Sequence, residues 1–266
     1  MSSLLEVKDI RKHFGGVKAV DGLSFSINKN DICAIIGPNG SGKTTAINLI
    51  TKVYPLSGGE VYLNGERIDK LSRAKIVRQG LVRTFQNLRL FSTLTVLQHV
   101  LVARYFRQQS GFVKTIMRLP SVRHEEEFNR RKAMELLDMV GLTDHANRMA
   151  SSLPYGRRRL LEIARAIATE PKLILLDEPA AGMSEEEIDL LIGQIRMIRD
   201  MGMAVLVVEH RMRLIMNVAE NIIVLNYGKK IAEGTAADIQ DNQEVITAYL
   251  GKYHQKVETR QIPQKG

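Results

Sequence analysis

Gly37-Pro38-Asn39-Gly40-Ser41-Gly42-Lys43-Thr44-Thr45 matches the pattern GxxxxGK[ST] at each fixed position. Before it, Ile32-Cys33-Ala34-Ile35-Ile36 is a short apolar run that predicts a buried strand. After it, Thr45-Ala46-Ile47-Asn48-Leu49-Ile50 predicts a helix. Strand, glycine loop and helix form the setting in which this pattern makes a phosphate cradle rather than a flexible turn. Glycines let the backbone curl until successive N–H groups converge on an anion, and the helix N-terminus adds the positive end of its dipole. Lys43 supplies a point charge for β- and γ-phosphates, and Thr44 a hydroxyl for Mg²⁺. The stretch predicts a nucleoside triphosphate site.

Outward from the loop, other apolar runs end in chemistry-bearing residues. Leu173-Ile174-Leu175-Leu176 runs into Asp177-Glu178-Pro179, so a buried strand is expected to finish on two adjacent carboxylates. Beside a phosphate loop, one carboxylate in a Mg²⁺ sphere and a second orienting a water give a reason for that pair. Val205-Leu206-Val207-Val208-Glu209 ends in the same way at His210. The predicted strand Leu81–Phe85 ends at Gln86, whose amide suits a metal or an attacking water.

Composition limits the remaining possibilities. A chain of 266 residues has ample core for one large domain or two lobes. No apolar run reaches the ~18 residues that span a bilayer, and Glu6 and Lys8 interrupt the N-terminus too early for a secretory signal. The single cysteine, Cys33, lies in an apolar strand and reads as core packing. The net charge of +9 is uneven: eight basic residues between Arg104 and Lys132 face three glutamates. Aromatic residues do not interleave with that run as on a base-stacking surface. The charge therefore reads as a solvated helical face or as proximity to an anionic membrane, without nucleic acid.

Alternation around Leu5, Val7, Phe25 and Ile27 predicts a small antiparallel sheet, and Asn64-Gly65 between two alternating runs predicts a hairpin. From Leu88 to Glu170 the spacing turns helical. Strand–helix alternation then resumes, which predicts a mainly parallel sheet covered on both faces.

Taken together, the phosphate loop, Gln86, the helix-opening Leu153-Pro154-Tyr155-Gly156-Arg157, Asp177-Glu178 and His210 resemble the ATP-binding cassette of ABC transporters. The resemblance runs from about Leu4 to Gly251. Arg83-Thr84-Phe85-Gln86-Asn87-Leu88-Arg89-Leu90-Phe91, Asp177-to-Gly182 and Ala248-to-Gly251 are similar to the ATPase subunits of branched-chain amino-acid importers. Related urea or short-amide importers, and less closely soluble non-transport cassettes, are the alternatives.

The resemblance implies an α/β fold: a P-loop NTPase (RecA-like) core with an N-terminal antiparallel β subdomain and an inserted α-helical subdomain. Residues 1–250 would form one domain, with 1–87 and 171–250 as core, 88–170 as the helical insertion, and 251–266 as a basic tail. ATP and Mg²⁺ are implied, the nucleotide contacting Phe14, Gly37, Pro38, Asn39, Gly40, Ser41, Gly42, Lys43, Thr44, Thr45, Gln86 and Asp177. Phe14 would stack on adenine; Thr44, Gln86 and Asp177 would hold the metal. Glu178 would be the general base, His210 would hold γ-phosphate and water, and Gln86 would link that site to the membrane subunit. Leu153, Pro154, Tyr155, Gly156 and Arg157 would complete the site of a second cassette across a dimer.

Pro154-Tyr155 stand where the general signature has Ser-Gly, which points to a heterodimer with a related cassette, with a homodimer as the alternative. Arg157-Arg158-Arg159 at a helix start oppose the macrodipole, so an anion from the partner's ATP is expected to relieve them. Two permease subunits, an extracytoplasmic solute-binding protein acting indirectly, and the cytoplasmic face of a bacterial inner membrane complete what the resemblance implies.

Overall fold

The computed structural model describes residues 3–84, 90–107 and 120–249. Strands β1 (Ser3–Phe14) and β2 (Val17–Asn28) form a long hairpin, and β4 (Gly58–Leu63) and β5 (Glu66–Arg67) form a short one. They make an antiparallel sheet in the order β2-β1-β4-β5. The turn between β4 and β5 has Asn64 and Gly65 at φ 51° and 81°, the left-handed pair that a two-residue hairpin requires.

The second sheet contains β3 (Ile32–Ile36), β6 (Leu81–Arg83), β7 (Leu173–Asp177), β8 (Ala204–Val208), β9 (Asn221–Asn226) and β10 (Lys229–Gly234). Its order is β10-β9-β3-β8-β7-β6, and only β10 runs antiparallel to its neighbour. Helices α1 (Lys43–Ile50) and α2 (Arg73–Gln79) lie between β3 and β6 in the chain. Among the described residues, three longer helices, α3 (Val96–Arg107), α4 (Pro120–Met139) and α5 (Tyr155–Ile167), are inserted between β6 and β7. The remaining described helices are α6 (Glu185–Asp200), α7 (Met212–Val218), α8 (Ala236–Gln240) and a last one over 243–249.

Successive residues of a strand face opposite sides, and the two cores divide accordingly. Cys33, Ile35, Leu173, Leu175, Leu206 and Val208 pack with α1 and the antiparallel sheet. Ile32, Ala34, Ile36, Ile174, Leu176 and Val207 pack with the helices on the other face. Every residue of β3, β7 and β8 is buried, so the apolar runs are continuous rather than alternating. Cys33 is core packing, and burial pushes its thiol far above the ordinary value.

The structure departs from the sequence reading in particular places. The strand expected over Leu81–Gln86 is three residues long, although Thr84 N–H still reaches Leu175 O at 2.9 Å. Gln86 lies outside the described residues, as do Asn87, Leu88 and the 251–266 tail. Helix α2 gave no periodic signal because it buries only Ile76. Arg104 is not on a solvated face: it is 7% exposed and donates from Nε to Asn129 Oδ1 at 3.0 Å, tying α3 to α4. The expected helix start at Ser184 is present, with a reciprocal capping box between Ser184 and Glu187.

Candidate active site

The parallel strands deliver their carboxyl ends side by side. Ile35 pairs with Val208, and Val208 with Asp177, so β3, β8 and β7 end in one row. The loop after β3, the carboxylates after β7 and the histidine after β8 therefore meet at one edge of the sheet. In open α/β sheets that edge is where ligands bind.

The phosphate loop is held by both sheets. Gly37 has φ 152°, and a Cβ there would lie 2.1 Å from Leu225 O on β9. Gly42 has φ 102°, and a Cβ would lie 2.5 Å from Ala19 O on β2. Gly228 N–H donates to Ser41 O, and Asp21 N–H to Gly228 O, both at 2.9 Å. These contacts explain two glycines by close backbone approach rather than by looseness. Lys43 is 7% exposed and donates from Nζ to Gly37 O at 2.7 Å and Pro38 O at 3.1 Å. The Ser41 hydroxyl is buried without a hydrogen-bond partner. Gly40, Ser41, Gly42, Lys43, Thr44 and Thr45 line a cavity of about 290 Å³ with Val17, Tyr227 and Gly228. An orphaned hydroxyl beside the uncapped N-terminus of α1 fits a phosphate group.

Asp177 ends β7 with its side chain nearly buried. Arg83 Nη2 donates to Asp177 Oδ2 at 2.8 Å, while Arg83 Nη1 reaches Asn48 Oδ1 at 2.7 Å and Thr51 Oγ1 at 3.2 Å. One guanidinium thus joins β6, the helix after the phosphate loop and the carboxylate strand. Burial pushes the Asp177 carboxyl above the ordinary value even though Arg83 pulls it down. Glu178 follows at φ 47°, in the left-handed region, with its N–H on Val208 O at 2.8 Å. A non-glycine residue in that region at a strand end is locally strained, a feature that clusters at functional positions. His210 leaves the end of β8 with about half of its side chain exposed.

The helix-opening segment is only partly as expected. Leu153 is buried, Pro154 caps α5 without a side-chain hydrogen bond, and Tyr155 is exposed. A Cβ on Gly156 would lie 2.0 Å from Glu187 Oε1 and would displace the tip of that side chain from the α6 capping box. The three arginines do not jointly face an outside anion. Arg157 bonds His145, and Arg158 Nε donates to Leu153 O at 2.7 Å. Arg159 is fully buried, with Nη1 on Glu162 Oε2 at 3.0 Å and Nη2 3.5 Å from Glu178 O. Glu162 neutralises Arg159 within the chain, whereas Arg157 and Arg158 meet a histidine and a backbone carbonyl, which carry no compensating carboxylate charge.

Phe14 sits at the tip of the β1–β2 hairpin, 45% exposed, edge-on to Tyr54 with ring centroids 5.5 Å apart. Arg83 was not singled out in the sequence as a site residue, and Arg159 was expected to face a partner's anion rather than to lie buried next to Glu178. Arg83 is one basic residue in a short strand, and its importance comes only from the parallel pairing of β6 with β7.

This arrangement defines a P-loop NTPase with strand-end carboxylates and a strand-end histidine. The family described as ABC transporter matches residues 20–181, and the one described as branched-chain amino acid ATP-binding cassette transporter matches residues 229–255. The chain belongs to the ATP-binding cassette family of ABC transporters. It is 42% identical over 250 residues to the high-affinity branched-chain amino acid transport ATP-binding protein BraF of Pseudomonas aeruginosa, covering 94% of this chain and 98% of that one. Identity to the corresponding LivG protein of Escherichia coli is 39% over 252 residues, with the same coverage. A nucleotide-free ATP-binding cassette from an ABC transporter superposes with a TM-score of 0.80 at 32% identity, over 93% of this chain and 99% of that one. A cassette of an ABC transporter in its ADP conformation gives 0.81 at 32% identity, over 94% and 100%.

Proposed function

We propose that this chain is the ATP-hydrolysing subunit of an importer for branched-chain amino acids. The observation that carries the ATPase reading is the common row of strand ends, which sets the phosphate loop beside Asp177-Glu178 and His210. The solute is supported by the names of the relatives and by the family matched at residues 229–255.

In this reading the loop amides, Lys43 and the Ser41 hydroxyl bind the phosphates, and Phe14 stacks on the base. Glu178 takes the proton of the attacking water, and His210 holds water and γ-phosphate in line. Thr44, Asp177 and Gln86 form an all-oxygen donor set suited to Mg²⁺, which when bound neutralises charge on the phosphates. A phosphoryl-transfer site of this kind works by positioning and electrostatics rather than by covalent chemistry.

Among the described residues no helix is long and apolar enough to cross a membrane. The translocation path therefore belongs to two permease subunits, with this chain peripheral on the cytoplasmic face of the membrane. A related cassette carrying the usual signature is the dimer partner. Exposed Val102 lines a groove of about 240 Å³ between β6, α3 and α5, and with exposed Tyr105 one turn along α3 and exposed Phe91 it forms the permease-docking surface.

The test is purification from detergent-solubilised membranes followed by reconstitution into vesicles. Two hydrophobic subunits should accompany the chain, and leucine uptake should require ATP. Recovery without membrane subunits, or uptake indifferent to ATP, would overturn the reading.

A further inference from the structure

Glu209 lies outside every motif, yet its side chain is fully buried at the row of strand ends. Its carboxylate accepts from three backbone N–H groups. Oε1 accepts from Ala180 at 2.9 Å, and Oε2 accepts from His210 at 2.7 Å and Arg211 at 2.9 Å. The same Oε2 is 3.5 Å from His210 Nδ1. One oxygen therefore holds the loop that leaves Glu178, and the other holds the backbone that carries His210. Hydrogen bonds from N–H to a carboxylate are charge-assisted, and two acceptor oxygens on one planar group are what this double grip requires.

We propose that Glu209 is a positioning residue that binds His210 and the Ala180 loop into one unit, so that Glu178 and His210 keep a fixed mutual setting during hydrolysis. The inference rests on the roles given above to Glu178 and His210. Glu178 N–H and Glu209 N–H are already tied to neighbouring strands, through Val208 O and Ile35 O at 2.8 and 3.4 Å. What the sheet leaves unconstrained is the chain beyond those bonds. Glu209 is the side chain that reaches across from β8 to the loop after β7.

The discriminating variant is Glu209→Gln in the full chain. It keeps the shape but offers one carbonyl oxygen and one NH₂ group. The NH₂ must then face an N–H donor on one side, so one of the two grips is lost. Displacement of a catalytic group by about 1 Å costs on the order of 10²-fold in rate, and kcat should fall by that order. ATP affinity, read with a fluorescent ATP analogue, should stay within about twofold because the phosphate loop is untouched.

A double variant with His210→Ala separates positioning from folding. If Glu209 serves to set His210 against Glu178, adding Glu209→Gln to His210→Ala should cost less in kcat than the same substitution costs alone. Glu209→Asp retains the charge but withdraws it by one methylene, and should show the same split between kcat and affinity if Glu209→Gln is poorly folded. Glu209→Gln and Glu209→Asp at the wild-type kcat, or losses that add fully to those of His210→Ala, would overturn the inference while leaving the ATPase reading standing. His210→Ala at the wild-type rate would instead overturn the role of His210 in the site, and this inference with it.

Discussion

Glu178 holds a left-handed backbone at the point where β7 ends, and the proposed function gives that strain a use by setting its carboxylate beside the reacting phosphate. Glu178→Gln should keep ATP affinity and lower turnover by ~10²–10⁴, the range for loss of a positioned general base. Parallel measurement of nucleotide affinity and phosphate release checks this; hydrolysis near the wild-type rate would remove Glu178 from the role. Lys43 behaves differently because its ammonium is a binding charge. Lys43→Ala should weaken ATP binding by about 1.5–3 kcal/mol, the usual worth of a hydrogen bond to a charged group. Equilibrium titration reads this directly, and unchanged affinity would contradict the phosphate-loop assignment. These residues were legible in the sequence because each stands at a fixed offset from an apolar run. Arg83 and Glu209 were not. Their roles arise from contacts across 94 and 29 positions of sequence, which spacing along the chain does not reveal.

At the scale of elements, the join between the β6 loop and α3 carries a titratable brace. His99 is 1% exposed, accepts from Phe91 N–H at Nε2 at 2.9 Å, and has Nδ1 2.9 Å from Thr95 O. Burial pushes its imidazole below the ordinary value of 6.5; the Thr95 carbonyl opposes this and Arg165 adds to it. A base whose folded pKa is depressed gives stability that is present above the unfolded value and lost as pH falls through that value toward the folded one. Protonation would also put a donor at Nε2 against the Phe91 N–H. The thermal midpoint should therefore drop between about pH 7.5 and 5.5, and His99→Gln should flatten part of that slope. A slope identical in both proteins would exclude His99 as its source. The elements themselves were mostly readable, since β3, β7 and β8 are continuous apolar runs and α6 opens on a capping box. The reading failed where tertiary pairing overrides pattern: at α2, which buries a single residue, and at β6, which stops after three.

For the whole molecule, the two cores occupy opposite faces of the parallel sheet, and the proposed function assigns its carboxyl edge to nucleotide and the α3 flank to a partner. Charge placed on the proposed docking flank, as in Val102→Glu with Tyr105→Glu, should abolish solute uptake in vesicles. Basal ATP hydrolysis of the isolated chain should stay within about twofold, because exposed positions away from buried networks are near neutral for the fold. Equal loss of both activities would assign these side chains to packing instead. The antiparallel sheet has a part in this plan that is separate from covering the core. Its second strand, with the turn after β9, holds the phosphate loop closed through Ala19, Asp21 and Gly228. A loop fastened at its back has no ordering transition left to undergo when a ligand arrives. Calorimetry of ATP binding to the isolated chain should then show only a small negative heat-capacity change, without the signature of coupled folding. The nucleotide's binding energy is left for drawing the molecule toward its neighbours, which is the work an engine of transport requires.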